Sequence, residues 1–342
     1  MRKDYSFFRI YWLVTINKTY TKISNPLRLP SYMTQHDAPF LLTISAIRRS
    51  KLLMNKFKIL IAATIGNALE IYDLVVYGYF STAVGKNFFP QADKLASIAS
   101  AFAIFFIGYL ARPLGALFFG RIGDTLGRKP ALITSIWLMA LSTFALGLLP
   151  TYQSIGVWAS LLFLILRICQ GFSCGGELTG STIFLVEYAP ETKRGFYGSF
   201  AYAGANLGLL LASLVAWLTY HYFGDVVVVN WAWRLPFFLG LLIGIVGWWA
   251  RRQLSETPLF RSRFRTPESQ FDYYREFRKY RRPVGTIVGL VIFGTVLTYL
   301  IYVFNVVYMS DMLDYTRKQA LSITMVSIVL LVFIVTMDGK ME

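Results

Sequence analysis

Eight side chains in the first 180 residues stand out because polar and charged groups interrupt long apolar runs. Asn67, Glu70, Asp73 and Tyr77 lie in one run, Arg112 in the next, and Arg167, Gln170 and Glu177 in a third. If these runs cross a bilayer, each charge costs about 2.5 kcal/mol or more at the membrane centre and needs a partner or a wet cavity. At ~100° per residue, Gly66, Asn67, Glu70, Asp73 and Tyr77 fall on one stripe, and the other faces are Ile, Leu, Val and Phe. Arg167, Gln170, Cys174 and Ser181 share a second face, with Glu177 on its edge. Two carboxylates facing a buried guanidinium suit a proton or substrate pathway, in which an ion pair opens when a carboxylate takes up a proton. The competing reading is a buried ion pair that only holds helices together. Other chemistry has little support. There are two His, His36 and His221, and two Cys, Cys169 and Cys174, in no metal-ligand spacing. There is no phosphate loop and no nucleophile beside a base, so neither an enzyme, nor a metal, nor an organic cofactor is expected.

The elements that must position these groups are membrane helices. The chain has 342 residues, 56% hydrophobic and only 15% charged, and its mean hydropathy is +0.51. A soluble chain averages about 25% charged. Eight apolar runs reach the roughly 20 residues a spanning helix needs: residues 57–80, 97–119, 131–149, 157–186, 196–220, 233–250, 283–307 and 320–337. None shows the period of two that a membrane barrel needs. Of the 34 Lys and Arg, 26 fall in the leader and in the loops after spans 2, 4 and 6. The opposite loops hold only Lys86, Lys94, Arg317 and Lys318. That asymmetry places both termini in the cytoplasm. The net charge of +16 is then mostly topology, with no nucleic-acid partner implied. Glu70 lies about 20 Å from the inner end of span 1 and Arg167 about 15 Å from the outer end of span 4, at ~1.5 Å per residue. A span 1–span 4 ion pair is therefore expected to be possible, with either Glu70 or Asp73 as the carboxylate.

The loop after span 2 reads Gly120-Arg-Ile-Gly-Asp124-Thr-Leu-Gly127-Arg128-Lys129. Its glycines permit a tight turn, and Asp124 stands four residues before Arg128, a spacing that suits an ion pair. Glu187 ends span 4 on the same side, and Arg194 follows it. Together they predict a latch at the cytoplasmic rim. Positive-inside anchoring alone explains Arg128 and Lys129, but not Gly120, Asp124 and Gly127. Small-x-x-x-small pairs at Gly171/Gly175, Gly176/Gly180, Gly204/Gly208, Gly240/Gly244 and Gly285/Gly289 predict close helix packing.

This loop resembles the signature of the major facilitator superfamily. Gly66-Asn-Ala-Leu-Glu70-Ile-Tyr-Asp73, Arg112-Pro-Leu-Gly, Gln170-Gly-Phe-Ser-Cys-Gly-Gly-Glu177, Glu187-Tyr-Ala-Pro, Lys193-Arg-Gly-Phe, Trp233-Arg-Leu-Pro-Phe-Phe and Glu256-Thr-Pro-Leu-Phe are similar to the metabolite:proton symporter family within it. Gly-Gly-Glu-Leu-Thr-Gly-Ser-Thr-Ile-Phe and Asn230-Trp-Ala-Trp-Arg are most similar to its proline/glycine-betaine transporters. The resemblance implies an all-α fold of two six-helix bundles in a bacterial inner membrane. It implies alternating access, a small metabolite or osmolyte as substrate, and the proton as coupling ion. It assigns the coupling carboxylates to Glu70 and Asp73 and the buried cation to Arg167.

On that pattern the chain divides into a basic leader (1–56), a complete first bundle (57–250), a basic cytoplasmic linker (251–282) and the first two helices of the second bundle (283–342). Four further helices are expected of the fold. The sequence therefore also admits a remnant or split half without transport of its own, partnered by a second chain that supplies the missing helices. Residues 1–53 read as an irregular basic leader in which Tyr5–Ile16 is a candidate interfacial anchor. Phe271, Tyr274 and Phe277, set among basic residues in the linker, read as a helix on the anionic inner leaflet or as a flexible connection.

Overall fold

The computed structural model describes residues 38–90, 93–257, 260 and 280–338, and among these it is helical with no strand. Tyr5–Ile16 and the aromatic positions of the linker lie outside the described residues. The chain divides into two units, 1–54 and 55–342. The first contributes the start of a continuous helix, Ala38–Tyr79. Residues 38–54 are thus helical where an irregular leader is expected; Phe40-Leu-Leu and Leu52-Leu-Met are good helix formers with no Gly or Pro between them.

Seven helical segments are long and apolar enough to cross a membrane: Ile59–Tyr79, Lys94–Thr125, Arg128–Leu148, Val157–Tyr188, Glu191–Ala232, Arg234–Arg252 and Arg282–Met312. We number them spans 1 to 7. The eighth expected span is the helix Arg317–Asp338. Its N-terminus carries a reciprocal cap, in which the Thr316 hydroxyl accepts from Gln319 N and the Gln319 side chain accepts from Thr316 N.

Two spans are interrupted along their length. In span 2 one helix ends and the next begins at Ala111, before Arg112-Pro113, and in span 4 at Gly175-Gly176. A Pro near a helix start is tolerated because its missing N–H has no partner there anyway. The two breaks face one another. A Cβ built on Gly175 would lie 2.1 Å from the Arg112 carbonyl, and one on Gly171 would lie 1.8 Å from that of Gly108. Span 5 meets span 1 as closely, through Gly204 and Gly208 against the backbone of Thr64 and Ala68. Gly285 and Gly289 of span 7 face open space. Gly171→Ala is therefore expected to lower the detergent melting temperature by the equivalent of about 1–3 kcal/mol, an overpacking cost. Gly285→Ala is expected to leave it unchanged or raise it slightly.

Span 5 runs on past its expected end at Tyr220. Gly224 takes φ +69°, and the chain continues through a π-helical turn, Val228–Ala232, directly into span 6. Asn87 Nδ2 donates to the Val229 carbonyl at 2.7 Å, satisfying part of that irregular backbone. The core on this side packs Trp233 against Phe88 and Phe237, and Phe88 against Phe163. Of the seven spans, span 7 is the least covered, with 6% of its apolar window buried, against 72% for span 1.

Candidate functional site

Span 1 is the axis of the site because its polar stripe faces inward. Asn67, Glu70, Asp73 and Tyr77 are each at most 1% exposed. Asn67 donates to the Ala201 carbonyl at 3.2 Å and accepts from Ser181 at 2.8 Å, tying span 1 to spans 5 and 4. One turn further on, Glu70 forms an ion pair with Arg112. The Arg112 guanidinium also lies over the Tyr109 ring, 4.7 Å from its centroid. The break in span 2 places Arg112 at the start of a new helix, where its side chain reaches span 1.

Arg167 pairs with neither Glu70 nor Asp73 directly, which corrects the expected span 1–span 4 ion pair. It donates to Gln170 of its own helix and sits over the Tyr77 ring at 4.0 Å and the Phe105 ring at 5.4 Å. Gln170 Nε2 contacts the Thr143 hydroxyl at 2.7 Å, and that hydroxyl lies 2.6 Å from Asp73 Oδ2. Asp73 is thus reached from Arg167 through Gln170 and Thr143. The physical reason is competition. An aromatic face and a neighbouring amide hold the guanidinium locally, though its Nε has no hydrogen-bond partner among the described residues, and Arg112 supplies the charge that Glu70 needs. Each carboxylate keeps one oxygen, Glu70 Oε2 and Asp73 Oδ1, without a hydrogen-bond partner among the described residues. Tyr77 donates its hydroxyl to the Ala101 carbonyl at 2.5 Å. Tyr299 of span 7 closes the aromatic wall, 5.4 Å from Phe105 and 5.9 Å from Tyr109.

Glu177 belongs to a second buried centre. It pairs with Arg251 at the end of span 6 and accepts from the Ser135 hydroxyl at 2.7 Å. Arg251 also donates to the Leu132 carbonyl at 2.7 Å and is 2% exposed. In the sequence Arg251 counts as a loop cation. Its spacing holds the missed signal, because Gly240, Gly244, Gly247 and Arg251 share the helix face turned into the bundle. Thr143 carries no such signal, being one of four hydroxyl residues in an otherwise apolar span.

At the basic-loop end, Arg128 pairs with Asp124 at 2.8 Å and its Nε lies 3.3 Å from Glu187. Gly127 takes φ +117°, a backbone state that side-chain-bearing residues rarely adopt. It is the turn glycine of the loop. Gly120 is helical and faces open space, so it makes neither the turn nor a close contact. Arg194 also falls outside the cluster; it is 53% exposed and its partner is Glu191 at 4.0 Å. The place expected for Arg194 is taken from the other side by Glu256 and Thr257. Glu256 accepts the backbone N–H groups of Arg128 and Lys129, both at 3.1 Å, and Thr257 donates to Glu187 at 2.6 Å. Lys129 donates its ammonium to the carbonyls of Arg252 and Leu254. Glu256 therefore caps span 3 across more than 120 residues of chain. Glu256→Ala is expected to cost about 1 kcal/mol of that cap, read as a lower melting temperature that Glu256→Gln restores in part.

A helical membrane bundle with paired charges at its centre and an ionic cluster at one mouth is the architecture of a major facilitator. Residues 58–269 match the sugar (and other) transporter model, and the chain belongs to that family. It is 38% identical over 295 residues to the proline/betaine transporter of Escherichia coli (strain K12), covering 83% of this chain and 59% of that protein. It is 38% identical over 296 residues to the glycine betaine/proline/ectoine/pipecolic acid transporter OusA of Dickeya dadantii (strain 3937), with the same coverage. The chain therefore spans a little under two thirds of the length of these relatives. Among solved structures it is similar to a D-xylose-proton symporter, at TM-score 0.63 and 20% identity over 83% of this chain and 70% of that one. It is also similar to the xylose transporter XylE of Escherichia coli in a partially occluded inward-open conformation, at TM-score 0.63 and 19% identity over 84% and 72% of the two chains. These likenesses support the fold.

Proposed function

We propose that the chain serves proton-coupled symport of a small osmolyte or metabolite of the proline/betaine kind, or a carboxylate, by alternating access. The observation that carries the reading is the pair Glu70 and Asp73, each buried, each holding a partner with one oxygen and leaving the other without one among the described residues. Such a carboxylate can take a proton on the unpartnered oxygen while its existing contact stays. The Arg167–Gln170–Thr143–Asp73 relay then gives substrate a way to sense that proton, because a zwitterion's carboxylate meeting Arg167 would disturb the contacts that hold Asp73. The relatives' names support the substrate class. The proton is the only coupling agent invoked. On the positive-inside rule the Gly120–Lys129 end and both termini face the cytoplasm of the bacterial inner membrane.

A second reading, a membrane protein without transport of its own, is favoured by the exposure of most of the apolar stretch of span 7, of which 6% is buried. In that reading lipid alone, or a second chain contributing further helices, meets that surface. Uptake separates the two. Vesicles carrying the full chain are expected to concentrate radiolabelled proline or glycine betaine when an inward proton gradient is imposed, and to lose the excess when it is collapsed. Vesicles with the chain inserted that equilibrate no faster than empty ones support the non-transporting reading.

A further inference from the structure

A cavity of about 590 Å³ opens at the end of the bundle opposite the Gly120–Lys129 loop. Its size falls in the ~300–1,000 Å³ range of small-molecule sites. Its walls come from the connection between spans 1 and 2, from the end of span 5 and from the turn between spans 7 and 8. Lys86 and Lys94 flank the connection between spans 1 and 2, Asp225 lies near the end of span 5, and Asp311 and Arg317 flank the turn between spans 7 and 8.

Asp311 is the knot. Its Oδ1 meets Lys94 at 2.8 Å, and its Oδ2 pairs with Arg317 and accepts from Thr82 at 3.0 Å. Arg317 also donates to Thr82 at 2.5 Å. One carboxylate thus holds two cations and joins spans 1 and 2 to the turn between spans 7 and 8. The balance is incomplete. Arg317 is 7% exposed, yet its Nη1 has no hydrogen-bond partner among the described residues. Lys86 and Asp225 line the same cavity and form no ion pair among those residues. The wall therefore offers cations that can take a carboxylate and a separate carboxylate, Asp225, that can take a cation.

We propose that this cavity is a reception site for a small zwitterionic solute, whose carboxylate is taken by Arg317 and Lys94 and whose cationic group is taken by Asp225 and Asp311. The proposal rests on the transport reading for its ligand class and goes beyond it in place and mechanism. A zwitterion brings both charges, so it can exchange partners with Asp311 and leave no ion unpaired. An anion or a cation alone that displaces one side of the Asp311 pairs leaves Asp311 or Arg317 buried and without its partner, which is strongly unfavourable. Occupancy by the right solute thereby loosens the bridge from spans 1 and 2 to the turn between spans 7 and 8, and simple ions do not.

The test uses the full chain in right-side-out vesicles with Tyr315→Cys, an exposed position on the cavity wall. The native Cys169 and Cys174, both within span 4, set the background. Labelling by a membrane-impermeant maleimide is followed with glycine betaine, proline, acetate or choline. At a concentration ten times the dissociation constant, betaine or proline is expected to slow labelling about tenfold by mass action, and acetate and choline are expected not to. Asp225→Asn, at an exposed site that leaves the fold intact, and Arg317→Gln are each expected to remove the protection. Asp73→Asn is expected to keep it while losing accumulation, so failure at the central site and failure here are read separately. Equal protection by acetate, or protection that survives both Asp225→Asn and Arg317→Gln, overturns the proposal.

Discussion

Asp73→Asn is expected to abolish proton-driven accumulation while leaving exchange of substrate across the membrane. With an imposed gradient of one pH unit, coupling to one proton supports about tenfold accumulation, since 1.4 kcal/mol is a factor of ten. The variant should fall to equilibration. The geometry makes asparagine a good mimic of the protonated acid. Its carbonyl can still accept from Thr143, and its amide occupies the position of Oδ1, which has no partner among the described residues. Shape and burial are kept and only the proton cycle is removed. Glu70→Gln is the companion experiment with a different expected cost, because it also leaves Arg112 without its carboxylate. If vesicles with either amide variant still concentrate substrate tenfold under the same gradient, that carboxylate is structural.

The second large effect is expected at Glu177 and Arg251. Removing one member of a buried ion pair typically costs about 3–5 kcal/mol, because the survivor is left charged and unpaired. Arg251→Met leaves the Glu177 carboxylate with the Ser135 hydroxyl, and Glu177→Leu leaves the guanidinium with backbone carbonyls. Each single variant is expected to melt on the order of 10 °C lower in detergent. The double variant, with no ion left to solvate, is expected to recover most of that loss. A double variant no more stable than the singles would show that the packing of these side chains, and not their charge, holds spans 3, 4 and 6 together.

Much of this architecture can be read along the chain. Apolar runs of about 20 residues are interpretable one at a time, because a bilayer requires each helix to satisfy its own backbone. Glu70, Asp73 and Arg167 are found the same way, since a charge in such a run is costly wherever its partner lies. The Asp124–Arg128 pair is local, four residues apart on one helical turn. Gly127 carries the positive φ that a glycine in a tight turn suggests.

Partnership was decided only by the tertiary structure. Glu70 takes Arg112 rather than Arg167, which is held by Gln170 and the Tyr77 ring, and which guanidinium a carboxylate meets across helices is not written in hydropathy. Arg251 and Glu256 are ordinary loop charges by position, and only the packing of span 6 against spans 1 and 3 brings them onto Glu177 and the start of span 3. Arg194 shows the reverse, a motif residue whose side chain points outward because Glu256 and Thr257 already satisfy the cluster. Thr143 and Asp311 gain much of their importance from distant neighbours, Asp73 for the first and Thr82 and Lys94 for the second. Hydropathy and spacing act along one helix, so the sequence carries which residues are buried in the membrane. Hydrogen bonds and ion pairs act across helices over a few ångströms, so which residues hold one another emerges only when the helices are packed.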